Sequence, residues 1–547
     1  MHGTWHRVRR VKCDETKPTC QRCAKLDVVC DGYPETRPIP TAKRIVLKAL
    51  HPTPPYLVTH IRTGPRFAEE EEGRYFRYYC EETAAQICGP LKSSLWERLI
   101  PQAGEIEPYI GHAIVALGAL SKACKTLGYD RGLERAAPSN PHHLYALTHY
   151  CKALKGMRNA PQSDIYDSRK VLMACLLVFC FEGLQGHHLS ASLHALGGLD
   201  LLYKFKAAQK RSKGSFAFDC LGRGAIEDDL YAAISGLDLQ VLIFLDNRPA
   251  SRHREIKSDM SSAINSMPSE LSSLKQCRDI WQLLMRRNFH FVAEAHAAMK
   301  VTAPCLDVVP TEDEGFEDLH ALKNSWTGPK RRLENVMSLL LPERDSYMED
   351  IRRWERASAS LFQRHLDPEN KGREEFFLAS MLKLNAAFSM LHLAMTLSPP
   401  ETSYDAYLPE FQTVTEIATD IHPLLVSSSS SEGATFRFDL GILPALTHVA
   451  NKCRARAVRT QAINLLEASP GYQEGIWHSD AVLAIARFVR DLEEKWMDGS
   501  GSIPGNRRVS MTGANILFHQ KKVQIFFTQR TGWGLGDFES LEKTLAW

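Results

Sequence analysis

Nothing at the start of this chain resembles the apolar core that directs secretion: the first ten residues, Met-His-Gly-Thr-Trp-His-Arg-Val-Arg-Arg, are polar and basic. Long hydrophobic runs are scarce. The most apolar one, Val171 to Phe181, is 11 residues long and lies between Arg169-Lys170 and Glu182. A membrane-spanning helix needs ~20 such residues, so this run reads as a buried core helix and no membrane partner is expected. Little net charge of either sign is present: 67 Lys and Arg stand against 64 Asp and Glu, a net +3, which excludes a polycation. No Gly-rich phosphate loop, nucleophile-elbow serine or pair of histidines four apart with an acidic partner occurs, so the chain is not read as an enzyme. Gly532, Gly534 and Gly536 alternate near the end, but without the strand and helix that a dinucleotide fingerprint needs they read as a loop. With no secretory route, a disulfide framework is also unexpected, and the 14 cysteines become reduced thiols, metal ligands or small core residues.

What charge there is sits unevenly. Residues 1–50 hold 11 Lys and Arg against 5 Asp and Glu, while the rest of the chain is slightly acidic. A small basic head on a near-neutral body points to a polyanionic partner for the head. That head also holds four cysteines, spaced Cys13-x6-Cys20-x2-Cys23-x6-Cys30. Zinc takes about four soft ligands in a tetrahedron, and cysteine pairs joined by tight turns present them at small entropic cost. Pro18-Thr19 turns the chain into Cys20, and Asp31-Gly32 turns it out after Cys30. The segment has too few large apolar residues to fold around a core of its own, which disfavours a chance grouping of buried thiols.

The stretch Arg9-Arg10-Val11-Lys12-Cys13-Asp14-Glu15-Thr16-Lys17-Pro18, continuing through Cys20, Cys23 and Cys30 to Asp31-Gly32-Tyr33, resembles the signature of the fungal binuclear zinc-cluster transcription factors. In that family six cysteines hold two zincs, two of them bridging. The resemblance implies zinc as cofactor and Cys13, Cys20, Cys23 and Cys30 as ligands. The family's first cysteine pair falls here on Gly3 and His6. His6 offers a nitrogen ligand and Gly3 offers none. Three outcomes stand open: one zinc held by the four cysteines, two zincs held weakly with water or His2 completing the shell, or a chain whose natural start lies upstream. The last is preferred, because everything from Arg9 onward keeps the pattern. In the family a short helix reads a CGG-type triplet in the major groove, which assigns the main base contact to Arg10, with Arg9 beside it. An arginine fork suits the O6 and N7 of guanine. Lys12, Lys17, Arg22 and Lys25 are then phosphate contacts, which position without specifying.

Residues 34–60 carry Pro34, Pro38, Pro40, Pro52, Pro54 and Pro55 around a basic stretch, and read as an extended linker. No heptad repeat follows the cysteines, so no coiled coil is expected and the oligomeric state stays open. From residue 61 the pattern is helix after helix, at about 67–88, 108–124, 142–158, 165–184, 189–206, 227–245, 273–300, 345–366, 373–397, 408–425, 441–467 and 478–497. In the first of these Glu69 to Glu72 are expected on the solvated side. Residues 427–433 are a Ser-rich loop, and residues 507–528 alternate like strands and suggest a terminal hairpin. The ten cysteines outside the cluster, Cys80 to Cys453, are expected in the core. The histidine groups His142-His143-His149, His187-His188-His194 and His290-His296 are expected to be ordinary core or surface residues.

Residues 61–547 also resemble the helical regulatory region of such factors. The matching stretches are Ser94-Leu95-Trp96-Glu97-Arg98-Leu99-Ile100-Pro101, Ile114 to Leu120, and Phe438-Asp439-Leu440-Gly441-Ile442-Leu443-Pro444. The expected fold class is therefore mostly α. It comprises a zinc-cluster module at 1–33, a Pro-rich linker at 34–60 and an all-helical regulatory domain at 61–547 with a short C-terminal β-hairpin. The resemblance implies a nuclear regulator of RNA polymerase II genes, plausibly of a metabolic gene cluster, whose partners are double-stranded DNA with CGG-type half-sites and the transcription machinery or coregulators. The alternative is a regulator that binds no DNA and works through protein partners.

Overall fold

The computed structural model describes residues 21–25, 67–127, 140–159, 165–212, 228–244, 246, 248–302, 327–397, 401–426, 435–530 and 538–547. The chain divides into two units, Met1–Pro65 and Arg66–Trp547. In the first, the described element is helix α1, Gln21–Lys25. The linker expected at 34–60 and the Ser-rich loop at 427–433 lie outside the described residues, as do the three C-terminal glycines.

The second unit is mostly helical, as the sequence pattern required. Its first layer begins with α2 (Glu70–Tyr78), whose first turn carries Glu70, Glu71 and Glu72 against the positive end of the helix dipole. A π-helical turn, Tyr79–Thr83, leads into α3 (Ala84–Cys88). A second π turn, Leu95–Leu99, feeds α4 (Ile100–Ile106), and Pro101 sits in its first turn, where a missing N–H costs nothing. Then follow α5 (Pro108–Leu127), α6 (Pro141–Asn159), α7 (Ile165–Gln185), α8 (His188–Ser212) and α9 (Asp228–Phe244). Their shared core explains the longest apolar run: Val171 to Phe181 is buried on every face of α7. Close helix crossing also explains Gly118. A methyl group there would lie 2.4 Å from the Tyr75 carbonyl oxygen of α2.

A second core gathers α10 (Ala250–Asn265), α11 (Leu274–Thr302), α12 (Thr327–His365), α13 (Glu374–Met395), α14 (Leu408–Val426), α15 (Leu443–Lys452), α16 (Arg456–Glu467) and α17 (Ser479–Glu494). Trp281 and Trp354 meet at its centre with ring centroids 4.6 Å apart, and the Trp354 indole donates to the Cys277 carbonyl at 3.1 Å. Helix α13 is long and apolar enough to cross a membrane by length and composition, yet most of it is packed inside this core.

Two small sheets accompany the helices, one unforeseen and one where strands were expected over 507–528. Strands β1 (Thr435–Arg437), β2 (Tyr472–Glu474) and β3 (Trp477–His478) form one of them, β1 parallel and β3 antiparallel to β2. The C-terminal sheet has three strands, β4 (Val509–Leu517), β5 (Lys522–Arg530) and β6 (Phe538–Ala546), all antiparallel. Its central strand turns Val523, Ile525 and Phe527 onto Ile485 and Val489 of α17. Other departures are local. The helix expected over 441–467 is broken at Cys453–Ala455, and α10 was not foreseen. Cys80 and Cys151 are exposed rather than buried, while Cys88, Cys124, Cys175, Cys180, Cys277 and Cys453 are in the core. Cys220 and Cys305 lie outside the described residues. Glu72 is buried, not solvated.

Ion-paired networks lock the helices. Asp238 of α9 is fully buried and accepts from Arg286 at 3.0 Å, Arg248 at 2.8 Å and the Tyr203 hydroxyl at 2.9 Å, with His290 at 3.1 Å. Burial alone would raise its pKa, but His290, Arg248 and Arg286 hold the carboxyl well below the usual range. Glu493 does the same for the end of α17, taking Arg454 at 2.6 Å, Arg459, and the Val509 N–H at 2.7 Å.

Candidate DNA-binding module and the cavity of the helical unit

Helix α1 starts immediately after Cys20 and holds Gln21, Arg22, Cys23, Ala24 and Lys25. It places Cys23 inside a helical turn, one residue from Arg22 and two from Lys25. Lys25 is exposed. Cys13, Cys20, Cys30, His6, Arg9, Arg10, Lys12 and Lys17 lie outside the described residues. The donor set can be tested by its chemistry. Four thiolates within 18 residues are a complete tetrahedral shell for one zinc. A second zinc would need ligands beyond these four.

In the helical unit the stretch Phe438 to Pro444, singled out by resemblance, has a clear structural job. Phe438 packs against Trp96 and Phe179, with ring centroids 5.0 and 5.8 Å away. The Glu474 carboxylate accepts from the backbone N–H groups of Gly441, Ile442 and Leu443 at 2.8–2.9 Å, closing the N-terminus of α15. A Cβ at residue 441 would lie 2.4 Å from Glu474 Oε1, so only glycine fits. Asp439 between them points into a cavity of about 230 Å³ lined by Trp96, Leu239, Trp281, Met381 and Arg278, among others. Asp439 is itself exposed to solvent on the wall of this cavity. The buried Trp281 indole N–H has no hydrogen-bond partner among the described residues. The cavity was not legible in the sequence, because its walls come from segments far apart along the chain.

The histidine groups picked out along the sequence do not converge on themselves. His142 contacts the Tyr75 hydroxyl at 2.7 Å, His143 the Gln185 amide at 2.9 Å, and His187 the Glu182 carboxylate at 2.8 Å. His290 faces His253 at 2.9 Å.

Residues 7–38 match the model of the fungal Zn(2)-Cys(6) binuclear cluster domain. The match covers all four clustered cysteines and begins one residue after His6. Over 93% of its length the chain is 22% identical to the aspercryptin biosynthesis cluster-specific transcription regulator atnN of Emericella nidulans, covering 90% of that protein. Over 38% of its length it is 26% identical to the transcription regulator lscL of Purpureocillium lilacinum, covering 51% of that protein. No solved structure matches. The chain thus carries, at residues 7–38, a fungal Zn(2)-Cys(6) binuclear cluster domain, a domain that binds zinc, and is a transcription regulator.

Proposed function

We propose that the chain is a nuclear, sequence-specific DNA-binding regulator of RNA polymerase II genes that reads CGG-type triplets and controls a biosynthetic gene cluster. The observation that carries this reading is the unbroken zinc-cluster pattern from Arg9 to Tyr33, inside the matched segment and beside the basic run. Cys13, Cys20, Cys23 and Cys30 hold zinc, with His6 as an added nitrogen ligand. Arg10, with Arg9, reads guanine, while Lys12, Lys17, Arg22 and Lys25 neutralise phosphates. The names of the two relatives support a gene-cluster role. The helical unit is the regulatory part, and its cavity suits a small ligand that controls activity.

The test is binding of the full chain, in zinc buffer, to CGG-containing and scrambled duplexes. Four phosphate contacts predict that affinity falls about tenfold when salt is doubled. Arg10→Ala should lose ~1–3 kcal/mol of discrimination, whereas Lys17→Ala should weaken all sequences alike. Chelation should abolish binding. No preference for CGG duplexes in zinc buffer would end the reading. A second reading, a regulator acting only through protein partners, is favoured by Gly3 and His6 standing where the family pattern has cysteines. Near-zero zinc content in the purified chain would select it.

A further inference from the structure

Three helices bring together a histidine pair and a carboxylate that no sequence motif links. Glu72 lies in the first turn of α2, His112 in α5 and His149 in α6. One ligand atom from each lies within 4.8 Å of the other two. The Nδ1 atoms of His112 and His149 are 3.2 Å apart, Glu72 Oε1 is 4.0 Å from His112 Nδ1, and Oε1 is 3.8 Å from His149 Nε2. Ligands bonded to zinc at ~2.0–2.2 Å in a tetrahedron stand roughly 3.3–3.5 Å apart. One nitrogen of each imidazole and one oxygen of Glu72 already lie within 4.8 Å of one another, so an adjustment of about an ångström would seat an ion.

The surroundings hold this group in place. The Ala68 N–H donates to Glu72 Oε2 at 2.9 Å, which leaves Oε1 turned to the imidazoles. Tyr145 stacks on His149 at 4.6 Å between centroids, and its hydroxyl is anchored on Glu69. Burial, helped by Lys152 and by His112 itself, lowers His149 to about 4 against the pull of Glu72. Burial likewise lowers His112, opposed by Glu72 and assisted by Lys152. His112 is partly open to solvent, so an ion can reach the group from that side.

We propose that Glu72, His112 and His149 form a divalent-metal site in the helical unit, separate from the cysteine cluster, for a borderline ion such as Zn²⁺ or Co²⁺. The ion takes the place of the proton shared between the two imidazoles and cross-links α2, α5 and α6.

Cobalt titration of the full chain tests this, because thiolate ligands give charge-transfer bands that imidazole and carboxylate ligands do not. The expected result is one cobalt equivalent without those bands, retained in Cys23→Ser. Its affinity should fall at least about tenfold in Glu72→Gln and in His112→Gln. His112 is only half-buried, so its variant should fold, and circular dichroism checks both proteins. Cobalt uptake confined to the thiolate signal, or unchanged in either folded variant, overturns the proposal.

Discussion

His188 shows what a single buried residue can impose on stability. It is almost wholly buried in α8, and burial, reinforced by His187 and His519, lowers its pKa to about 4. An unfolded histidine titrates near 6.5. Between those values the unfolded chain binds a proton that the native chain refuses. The contribution of His188 is therefore complete above about pH 6.5, declines as pH falls, and is gone below about pH 4. Its slope is roughly 1.4 kcal/mol per pH unit. Urea denaturation of the wild type and His188→Gln at pH 7, 5.5 and 4.5 checks this: the variant should show the shallower loss towards acid. Gly441 and Glu474 illustrate a different residue-scale constraint, where space rather than charge decides. The sequence displays the motif, but the reason for its glycine appears only when β2 brings Glu474 beside it.

At the scale of elements, the crossing of α2 and α5 is set by Gly118. Gly118→Ala would press a methyl group onto the backbone of Tyr75. Overpacking of ~1–3 kcal/mol should outweigh the ~1 kcal/mol gained from helix propensity, so the melting temperature should fall. Gly197 in α8 is the matched control. Among the described residues, beyond its own helix backbone and chain neighbours, nothing lies within 4 Å of the position a Cβ would take there, so Gly197→Ala should stabilise by ~0.5–1 kcal/mol in the same thermal melts. If both variants melt alike, close approach is not what fixes the crossing. Helix periodicity made most of these elements legible, because a buried stripe leaves its mark on every turn. Short strands such as β1 to β3 leave no such mark: two or three residues cannot display a period.

At the scale of the whole helical unit, Asp238 matters because its partners come from separate segments: Tyr203 from α8, Arg248 from the loop after α9, and Arg286 and His290 from α11. Asp238→Ala would leave the buried Arg286 guanidinium without its carboxylate, while Arg248 would keep Asp246. A loss of ~3–5 kcal/mol is expected. Chemical denaturation should show it, and an effect below 1 kcal/mol would mean that water or other partners replace the carboxylate.

The sequence alone determined the chemistry of the head, since four cysteines at tight spacing beside a basic run leave few alternatives to a thiolate-bound metal near a polyanion. It also determined the helical character of the body, through apolar periodicity. Both are local properties, carried by residues close together along the chain. The tertiary structure alone decided the rest. It buried Glu72, which the acidic run Glu69–Glu72 had suggested was solvated, and set it against His112 and His149 from other helices. It formed the cavity beside Asp439 and gathered four partners onto Asp238. Those sites are assembled by helix packing across long sequence separations, and contacts of that kind leave no period or spacing to read in advance.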